Sequence, residues 1–126
     1  MHHRSTRRAL APALALSFLL SALSAHASVS GMTSLLGQYD VIVLDDLSTS
    51  SDVEGRTFVG DDVTGTTSAN FAIALAVPSS DSTLVVVDDV VAGNPLNLNA
   101  GSLRIGGTTN GRIVNYNGGG SLIADP

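Results

Sequence analysis

The sequence predicts an all-β domain, a short parallel β-solenoid (β-helix) of about five rungs. The first observation is a recurring phrase in which two turn-forming residues stand between aliphatic strand ends. The spacing of its copies, roughly 16 to 20 residues, is typical of one coil stacked on the last. The copies are Leu44-Asp45-Asp46-Leu47, Val59-Gly60-Asp61-Asp62-Val63, Val87-Asp88-Asp89-Val90 and, in degenerate form, Ile105-Gly106-Gly107-Thr108.

The second observation concerns the core. The sequence contains no cysteine and few aromatic residues, so the core must consist of aliphatic side chains stacked in rows. A solenoid provides such rows, because equivalent positions of successive rungs lie above one another. We expect the core to contain Val41, Val43, Val59, Val85, Val87, Ile105 and Ile113.

A secretory signal peptide is predicted over residues 1–27. Arg4, Arg7 and Arg8 form a basic leader, residues 9–23 are mostly Ala, Leu and Phe, and Ala25-His26-Ala27 is a small-x-small cleavage site. The apolar run falls short of the roughly 20 residues of a comfortable membrane span. The general secretory route is favoured over the twin-arginine route, which the paired arginines faintly resemble. We therefore expect a secreted domain of residues 28–126, with no membrane span in the mature chain.

The charge of the mature chain excludes several functions. The leader holds three of the six basic residues and none of the eleven acidic ones, so residues 28–126 carry 3 − 11 = −8 formal charge. Such a surface repels nucleic acid and anionic lipid. All three histidines also lie in the leader and cysteine is absent, which excludes His-dependent and Cys-dependent catalysis and the usual zinc ligands.

The first elements follow from local pattern. Gly31 to Leu36 are expected to form a single helical turn, and Tyr39 to Leu44 the first strand. The second strand is predicted over Val53 to Val59. Each predicted strand leads into one of the first two copies of the turn phrase, so the two strands should form the first rungs.

The longer gap between the second and third copies of the phrase predicts a rung with an insertion at residues 64–86. Within it, Phe71, Ile73, Leu75 and Val77 alternate with alanines until Pro78, which predicts a strand. Thr83 to Val87 form a nearly continuous apolar run, typical of a strand covered on both faces.

Beyond Ala92 the sequence is rich in Gly and Asn with isolated Leu and Ile. The segments 97–103 and 115–122 can be aligned as two rungs in which Gly and Asn supply corner conformations at positive φ. The alternative is a flexible, low-complexity tail. In the solenoid interpretation, Leu103, Ile105, Ile113 and Leu122 point into the core.

Asp52, Glu54 and Arg56 alternate along the predicted second strand, so all three would project from one face at intervals of about 7 Å. That interval admits a carboxylate pair for glycoside hydrolysis, whose groups lie roughly 5 to 9.5 Å apart. Any alternating charged strand meets the same criterion, however, and Arg56 would neutralise both carboxylates. We therefore assign no catalytic residue and interpret the three as a structural polar row; a carbohydrate-active enzyme using Asp52 and Glu54 is the alternative.

The aspartate pairs are the second candidate site. Stacked at about 4.8 Å, they would form a ladder of like charges that calcium could bridge with carboxylate and carbonyl ligands. The favoured interpretation is that they are exposed, solvated turn residues, and we expect no other cofactor. Ice binding has less support, because the threonines form no regular Thr-x-Thr array. The candidate calcium ligands are Asp45, Asp46, Asp61, Asp62, Asp88 and Asp89.

Four segments carry a family resemblance: residues 36–44, Asp52-Val53-Glu54-Gly55-Arg56 with Phe58-Val59-Gly60 behind it, residues 84–87 and residues 101–107. They resemble bacterial choice-of-anchor A domain proteins, over Leu36 to Pro126. The resemblance implies a secreted bacterial β-solenoid related to ice-binding-like adhesive domains, displayed by one of several C-terminal anchors. It brings no enzymatic activity and no catalytic residue.

The sequence departs from that family in its Asp-Asp corners and in stopping at Pro126, where relatives continue into a helical segment and an anchor. We expect a released protein or a truncated copy without a capping helix. An open last rung would expose unpaired strand edges and favour end-to-end self-association. The predicted function is a secreted adhesive module that binds an extracellular surface, matrix or glycan; the alternatives are the enzyme above and a calcium- or ice-binding module.

Overall fold

The computed structural model describes residue 31 and residues 33–125. The chain divides into two compact units, Met1–Leu35 and Leu36–Pro126. Residue 31 and residues 33–36 are helical, in agreement with the predicted helical turn. The signal peptide of residues 1–27 lies outside the described residues and stays a prediction. Across the described residues, no helix is both long enough and apolar enough to cross a membrane.

Nine short strands account for the rest of the regular structure in the part of the chain that the structure describes. In chain order they are β1 Val41–Val43, β2 Asp52–Val53, β3 Thr57–Val59, β4 Ala69–Phe71, β5 Ser82–Val86, β6 Leu96–Leu98, β7 Ser102–Ile105, β8 Val114–Tyr116 and β9 Leu122–Ala124.

The strands build a parallel β-solenoid, as predicted. The odd-numbered strands form one sheet in the order β1-β3-β5-β7-β9, and the even-numbered strands form a second in the order β2-β4-β6-β8. Every pairing is parallel, and Leu47, Val63 and Val90 form parallel bridges on a third side of the coil. The solenoid makes about four turns, and β9 begins another. The predicted number of five rungs is therefore slightly too high.

The insertion predicted between the second and third copies of the turn phrase is confirmed, but its structure differs. Register partners in the first two turns, such as Val41 and Thr57, lie 16 residues apart, whereas those in the second and third, such as Thr57 and Leu84, lie 27 apart. The strand predicted over residues 71–77 ends at Phe71, since Ala72 adopts a left-handed conformation with φ of 57°. The alternating segment instead forms a loop, from which Leu75 and Val77 pack against the core.

The core is a stack of inward-facing aliphatic residues, as the solenoid requires. It includes the predicted Val59 and Ile105. The other large buried members are Val63, Phe71, Val90, Leu84 and Val86 of β5, Leu96 and Leu98 of β6, and Leu103 of β7. Three core predictions are wrong: Val87 is 50% exposed, Ile113 is 61% exposed, and Val85 lies half-buried on the outer face of β5. The predicted Val41 and Val43 are half-buried in β1. In β5 only Leu84 and Val86 are buried apolar residues and Val85 lies between them half-buried, so this strand is not covered on both faces.

The second predicted strand, Val53 to Val59, is divided by a corner. β2 ends at Val53 and β3 begins at Thr57. Gly55 lies in this corner, buried, and a Cβ placed there would overlap the carboxylate of Asp40. The close approach explains why the chain has glycine here. Because the corner separates two sheets, alternation along one strand does not apply to residues 52–56.

Residues 92–125 form rungs and not a flexible tail. They supply β6 to β9, and Leu103 is fully buried, whereas Leu122 on β9 is 49% exposed. Gly101, with φ of 67°, turns the chain between β6 and β7. Among the described residues other than glycine, positive φ occurs at Ala72 and Asn110. Most asparagines of this region therefore do not serve as corners, contrary to expectation.

Candidate functional site

The second aspartate of each pair forms a hydrogen-bonded ladder along one corner of the solenoid. Asp46 Oδ1 accepts the backbone N–H of Asp62 at 3.2 Å, and Asp62 Oδ1 accepts that of Asp89 at 2.8 Å. Asp89 Oδ1 in turn accepts the N–H of Thr108 at 2.6 Å. The degenerate fourth copy of the phrase thus ends the ladder with a backbone donor. The recurring aspartate connects successive turns, a role that the sequence analysis did not identify.

The pKa of Asp89, the last carboxylate of the ladder, reflects its hydrogen bonds. The backbone N–H of Thr108, assisted by the side chain of Asn110, lowers the pKa of Asp89 from its usual value. Hydrogen bonds to the ionised form stabilise it, so Asp89 holds its charge more firmly than a free aspartate.

The first aspartate of each pair has a different environment. Asp45, Asp61 and Asp88 are exposed at the same corner. Partial desolvation and the negative charge of its neighbours, Asp62 first among them, raise the pKa of Asp61. Like charges disfavour ionisation of one another, so the charged carboxylate of Asp61 opposes the stability that the inner ladder provides.

Two groups of these carboxylates are close enough to share a cation. Asp45, Asp46 and Asp61 form one group and Asp61, Asp62 and Asp88 the other, with ligand atoms within 4.8 Å of one another. Calcium takes about six to eight oxygen ligands, so each group would need carbonyls and water in addition. One carboxylate of each group, Asp46 or Asp62, already accepts a backbone N–H. Calcium binding by the aspartate pairs stays a prediction.

The predicted polar row is not arranged along one strand. Asp52 lies in β2, whereas Glu54 and Arg56 lie in the corner before β3. Arg56 Nη2 forms an ion pair with Asp81 at 2.8 Å, and Asp52 Oδ1 accepts a hydrogen bond from Asn70 Nδ2 at 2.6 Å. The expected strand geometry of Asp52 and Glu54 is therefore absent, and their spacing no longer supports a catalytic pair.

Asp52 instead begins a ladder of side-chain amides on the outer face of the even-numbered sheet. Asn70 donates to Asp52, Asn97 Nδ2 donates to Asn70 Oδ1 at 2.9 Å, and Asn115 Nδ2 donates to Asn97 Oδ1 at 2.9 Å. These residues are register partners in β2, β4, β6 and β8. The sequence contains a signal for this ladder, asparagines at equivalent places of successive rungs, but asparagine also favours corners, which is the role predicted above.

A shorter column lies beside this ladder. Asn117 Nδ2 donates to Asn99 Oδ1 at 3.0 Å, and Asn99 Nδ2 donates to the carbonyl of Phe71 at 3.2 Å. We call the five residues Asn70, Asn97, Asn99, Asn115 and Asn117 the amide face. Asn115 and Asn117 are exposed and the other three are half-buried.

Arg112 is a buried cation that joins three turns of the solenoid. It is 4% exposed and its guanidinium donates to the backbone carbonyls of Gly65 and Thr67 in the second turn and of Val91 and Asn94 in the third. Burial lowers its pKa from the usual value. The arginine therefore satisfies carbonyls that no strand pairing reaches. Nothing in the local sequence around Arg112 indicated this role.

A family model described as "Putative Ice-binding-like adhesive domain" matches residues 32–125. The match runs from before β1 to beyond β9 and so covers the whole solenoid. The chain belongs to this family. Searches of curated proteins and of solved structures found no match. Membership confirms the ice-binding-like adhesive part of the family resemblance, and an adhesive family suggests an extracellular or surface role.

In this ice-binding-like adhesive domain, the inward faces fill the core, so a partner can meet only the outer surfaces. Those surfaces differ in chemistry. The odd-numbered sheet presents the register row Ile42, Phe58, Val85, Arg104 and Ile123, with Tyr39 packed edge-on against Phe58 at 5.7 Å. The aspartate corner is acidic, and the amide face on the even-numbered sheet is polar and, from the second turn onward, uncharged.

Proposed function

We propose that this protein is a secreted, non-catalytic adhesive module that attaches to an extracellular surface through the outer faces of a rigid solenoid. The observation that carries the proposal is the pair of inter-turn ladders. Side chains that could have been mobile are held in register by hydrogen bonds from one turn to the next, along both the aspartate corner and the amide face.

Rigid, repeated side chains suit adhesion for an energetic reason. A surface that is already ordered loses little side-chain entropy on binding, so weak contacts made by many turns add up. A catalytic site, by contrast, needs groups that converge on one substrate atom within hydrogen-bond reach. Of the described carboxylates, Asp46, Asp62 and Asp89 accept backbone N–H groups, Asp52 accepts an asparagine amide, and Asp81 and Asp125 pair with arginines.

Secretion and display are part of the proposal. The basic leader, apolar run and small-residue cleavage site of residues 1–27 support export, and the cysteine-free domain has no requirement for disulfide formation. The family resemblance supports a bacterial choice-of-anchor A protein, in which an anchor would hold the domain at the cell surface. Mass spectrometry of the exported chain tests the export step, with Ser28 expected as the first residue.

The carbohydrate-active enzyme remains the alternative from another class. It would use Asp52 and Glu54, and its test is release of reducing sugar from polysaccharides by the wild type, with Glu54→Gln as the control. Sugar release that disappears in this variant would replace the adhesive proposal. Calcium and ice binding are properties that an adhesive module could also have, and they are measured separately.

The direct test uses microbeads that carry the full chain in a flow cell. Beads are passed over glass, polystyrene and polysaccharide-coated glass, and the shear stress that detaches half of them is measured. Leu103 is fully buried, so beads carrying Leu103→Asp provide a matched control in which the fold is disrupted. We expect beads that carry the wild type to stay attached to at least one surface and beads that carry the control to detach. Equal detachment of both bead types from every surface would refute the adhesive function.

A further inference from the structure

The geometry points to the amide face as a binding surface for neutral polysaccharide. This inference rests on the proposed adhesive function and specifies its partner: an extended polymer of uncharged sugars that lies along the asparagine columns. The argument depends on three properties of the face, namely its unused hydrogen-bonding groups, its regular spacing and its lack of charge.

Each ladder amide has hydrogen-bonding capacity to spare. A side-chain amide offers two N–H donors and two acceptor lone pairs. Asn97 donates one N–H to Asn70 and accepts one N–H from Asn115, so one N–H donor and one acceptor lone pair of its amide remain. Asn115 and Asn117 each donate one N–H to the neighbouring asparagine of their column. A sugar hydroxyl both donates and accepts, so it can satisfy the remaining donor and acceptor of one amide together.

The columns also fix where those groups lie. Asn70, Asn97 and Asn115 are direct register partners in parallel strands. Adjacent parallel strands lie about 4.8 Å apart, so each column presents an amide at regular intervals along the solenoid, as a polymer of repeating sugar units requires. The second column consists of Asn99 and Asn117, each of which lies two residues after a ladder residue in the sequence. Two parallel columns allow one polymer chain to contact several turns at once.

The charge of the face selects for a neutral partner. Residues 66–72, 94–100 and 113–118, which contain this side of the second to fourth turns, include no charged side chain. Residues 28–126 have a formal net charge of 3 − 11 = −8, so polyanions are repelled while the face itself offers no charge to attract polycations. Ile113, 61% exposed, and Pro95 flank the columns and offer apolar contact to the C–H face of a sugar ring.

The test is a depletion binding assay on insoluble cellulose, chitin, mannan and xylan, with polygalacturonate as the anionic comparison. The full chain is compared with Asn97→Ala/Asn115→Ala and with Asn115→Ala alone; Asn115 makes a single ladder bond, so its loss leaves the rest of the column intact. Asn94→Ala is the matched control, because Asn94 is exposed, lies outside the columns and bonds through its backbone. Circular dichroism melting verifies that each variant is folded.

We expect wild-type binding to at least one neutral polysaccharide and weaker binding to polygalacturonate. Asn115→Ala should lower the binding constant by about three- to tenfold and the double variant by about ten- to a hundredfold, whereas Asn94→Ala should leave it unchanged. Failure to bind any of the four polymers, or equal binding by wild type and folded double variant, would overturn the inference. If the depletion assay overturns the inference, bead adhesion of the wild type to glass or polystyrene would show that the proposed adhesive function still holds.

Discussion

Asp62 accepts the backbone N–H of Asp89 through Oδ1 at 2.8 Å, although the two residues carry the same charge and stand one turn apart. The repulsion between their carboxylates is offset because the bond is to the backbone and not to the side chain. The inner aspartates thus hold turns together, whereas the side chain of Asp61, the outer neighbour of Asp62, is surrounded by like charge. Two adjacent and chemically identical residues therefore have opposite effects on stability.

Replacing Asp62 should reveal that difference. Asp62→Ala leaves the N–H of Asp89 without its acceptor, and the expected loss of unfolding free energy is about 1–2 kcal/mol. Asp62→Asn keeps an acceptor oxygen at the same place and should lose less. Urea denaturation measures both. Asp61→Ala is the matched control and should not destabilise; if Asp61→Ala destabilises as much as Asp62→Ala, the distinction between inner and outer rows is wrong.

The raised pKa of Asp61 predicts a pH dependence with a definite sign. Because the folded-state pKa lies above the unfolded value near 3.8, the folded protein binds the proton more tightly, and stability decreases as the pH rises through this window. Asp89 has a lowered pKa and contributes the opposite trend: its stabilisation is present above the unfolded value and is lost as the pH falls through its folded pKa.

The measurement is the melting temperature of the wild type and of Asp61→Asn between about pH 3 and pH 7. The variant should melt above the wild type at pH 7, and the difference should shrink as the pH falls through the window in which Asp61 becomes protonated. A difference that is independent of pH would contradict the assigned direction.

Chelation tests the calcium hypothesis for the aspartate pairs. We expect EDTA to leave the melting temperature unchanged, because exposed, solvated aspartates need no ion and Asp46 and Asp62 already accept backbone hydrogen bonds. Calcium at millimolar concentration is the second arm. A rise in melting temperature with calcium that disappears in Asp61→Asn, which belongs to both carboxylate groups, would establish a calcium site.

Arg56 should be coupled to Asp81 and not to Glu54. The Arg56–Asp81 ion pair measures 2.8 Å and both side chains are about one-third exposed, at 32% and 37%, so solvent screens their attraction. A double-mutant cycle with Arg56→Ala and Asp81→Ala should give a coupling of about 0.5–1 kcal/mol. The same cycle with Glu54→Gln should give a value near zero. Coupling to Glu54 as strong as that to Asp81 would restore the polar row predicted from the sequence.

The fold was predictable because the solenoid repeats a short phrase. The turn phrase around Asp45, Asp61 and Asp88 marks the same corner of three successive turns, and its spacing revealed both the coil and the insertion. Burial was less predictable. Val87 has the residue type of a core position, but it follows β5 at the corner, where the side chain points away from the axis.

The site residues were harder to predict for a related reason. Asparagine is common both in turns and in ladders, and only the register between strands 18 or 27 residues apart distinguishes the two roles of Asn70 and Asn97. The partner of Arg56 lies in the insertion, whose path the local pattern did not determine. Non-local pairings of this kind follow from the three-dimensional course of the chain, which alternation and propensity do not specify.

Arg112 provides the sharpest test of how the turns are held together. Its guanidinium donates to four backbone carbonyls in two other turns, and its planar fork of five donors suits that task, whereas a lysine offers three donors from one point. Arg112→Ala would leave those carbonyls with fewer partners and should lower the unfolding free energy by more than about 2 kcal/mol, with Arg112→Lys recovering only part of the loss. Arg104→Ala is the matched control, because Arg104 forms an exposed ion pair with Asp125 at 3.2 Å, which contributes about 0–1 kcal/mol. Guanidinium chloride denaturation compares the three variants. If Arg112→Ala is no more destabilising than Arg104→Ala, the buried arginine does not connect the turns, and strand pairing with the apolar core must supply that cohesion.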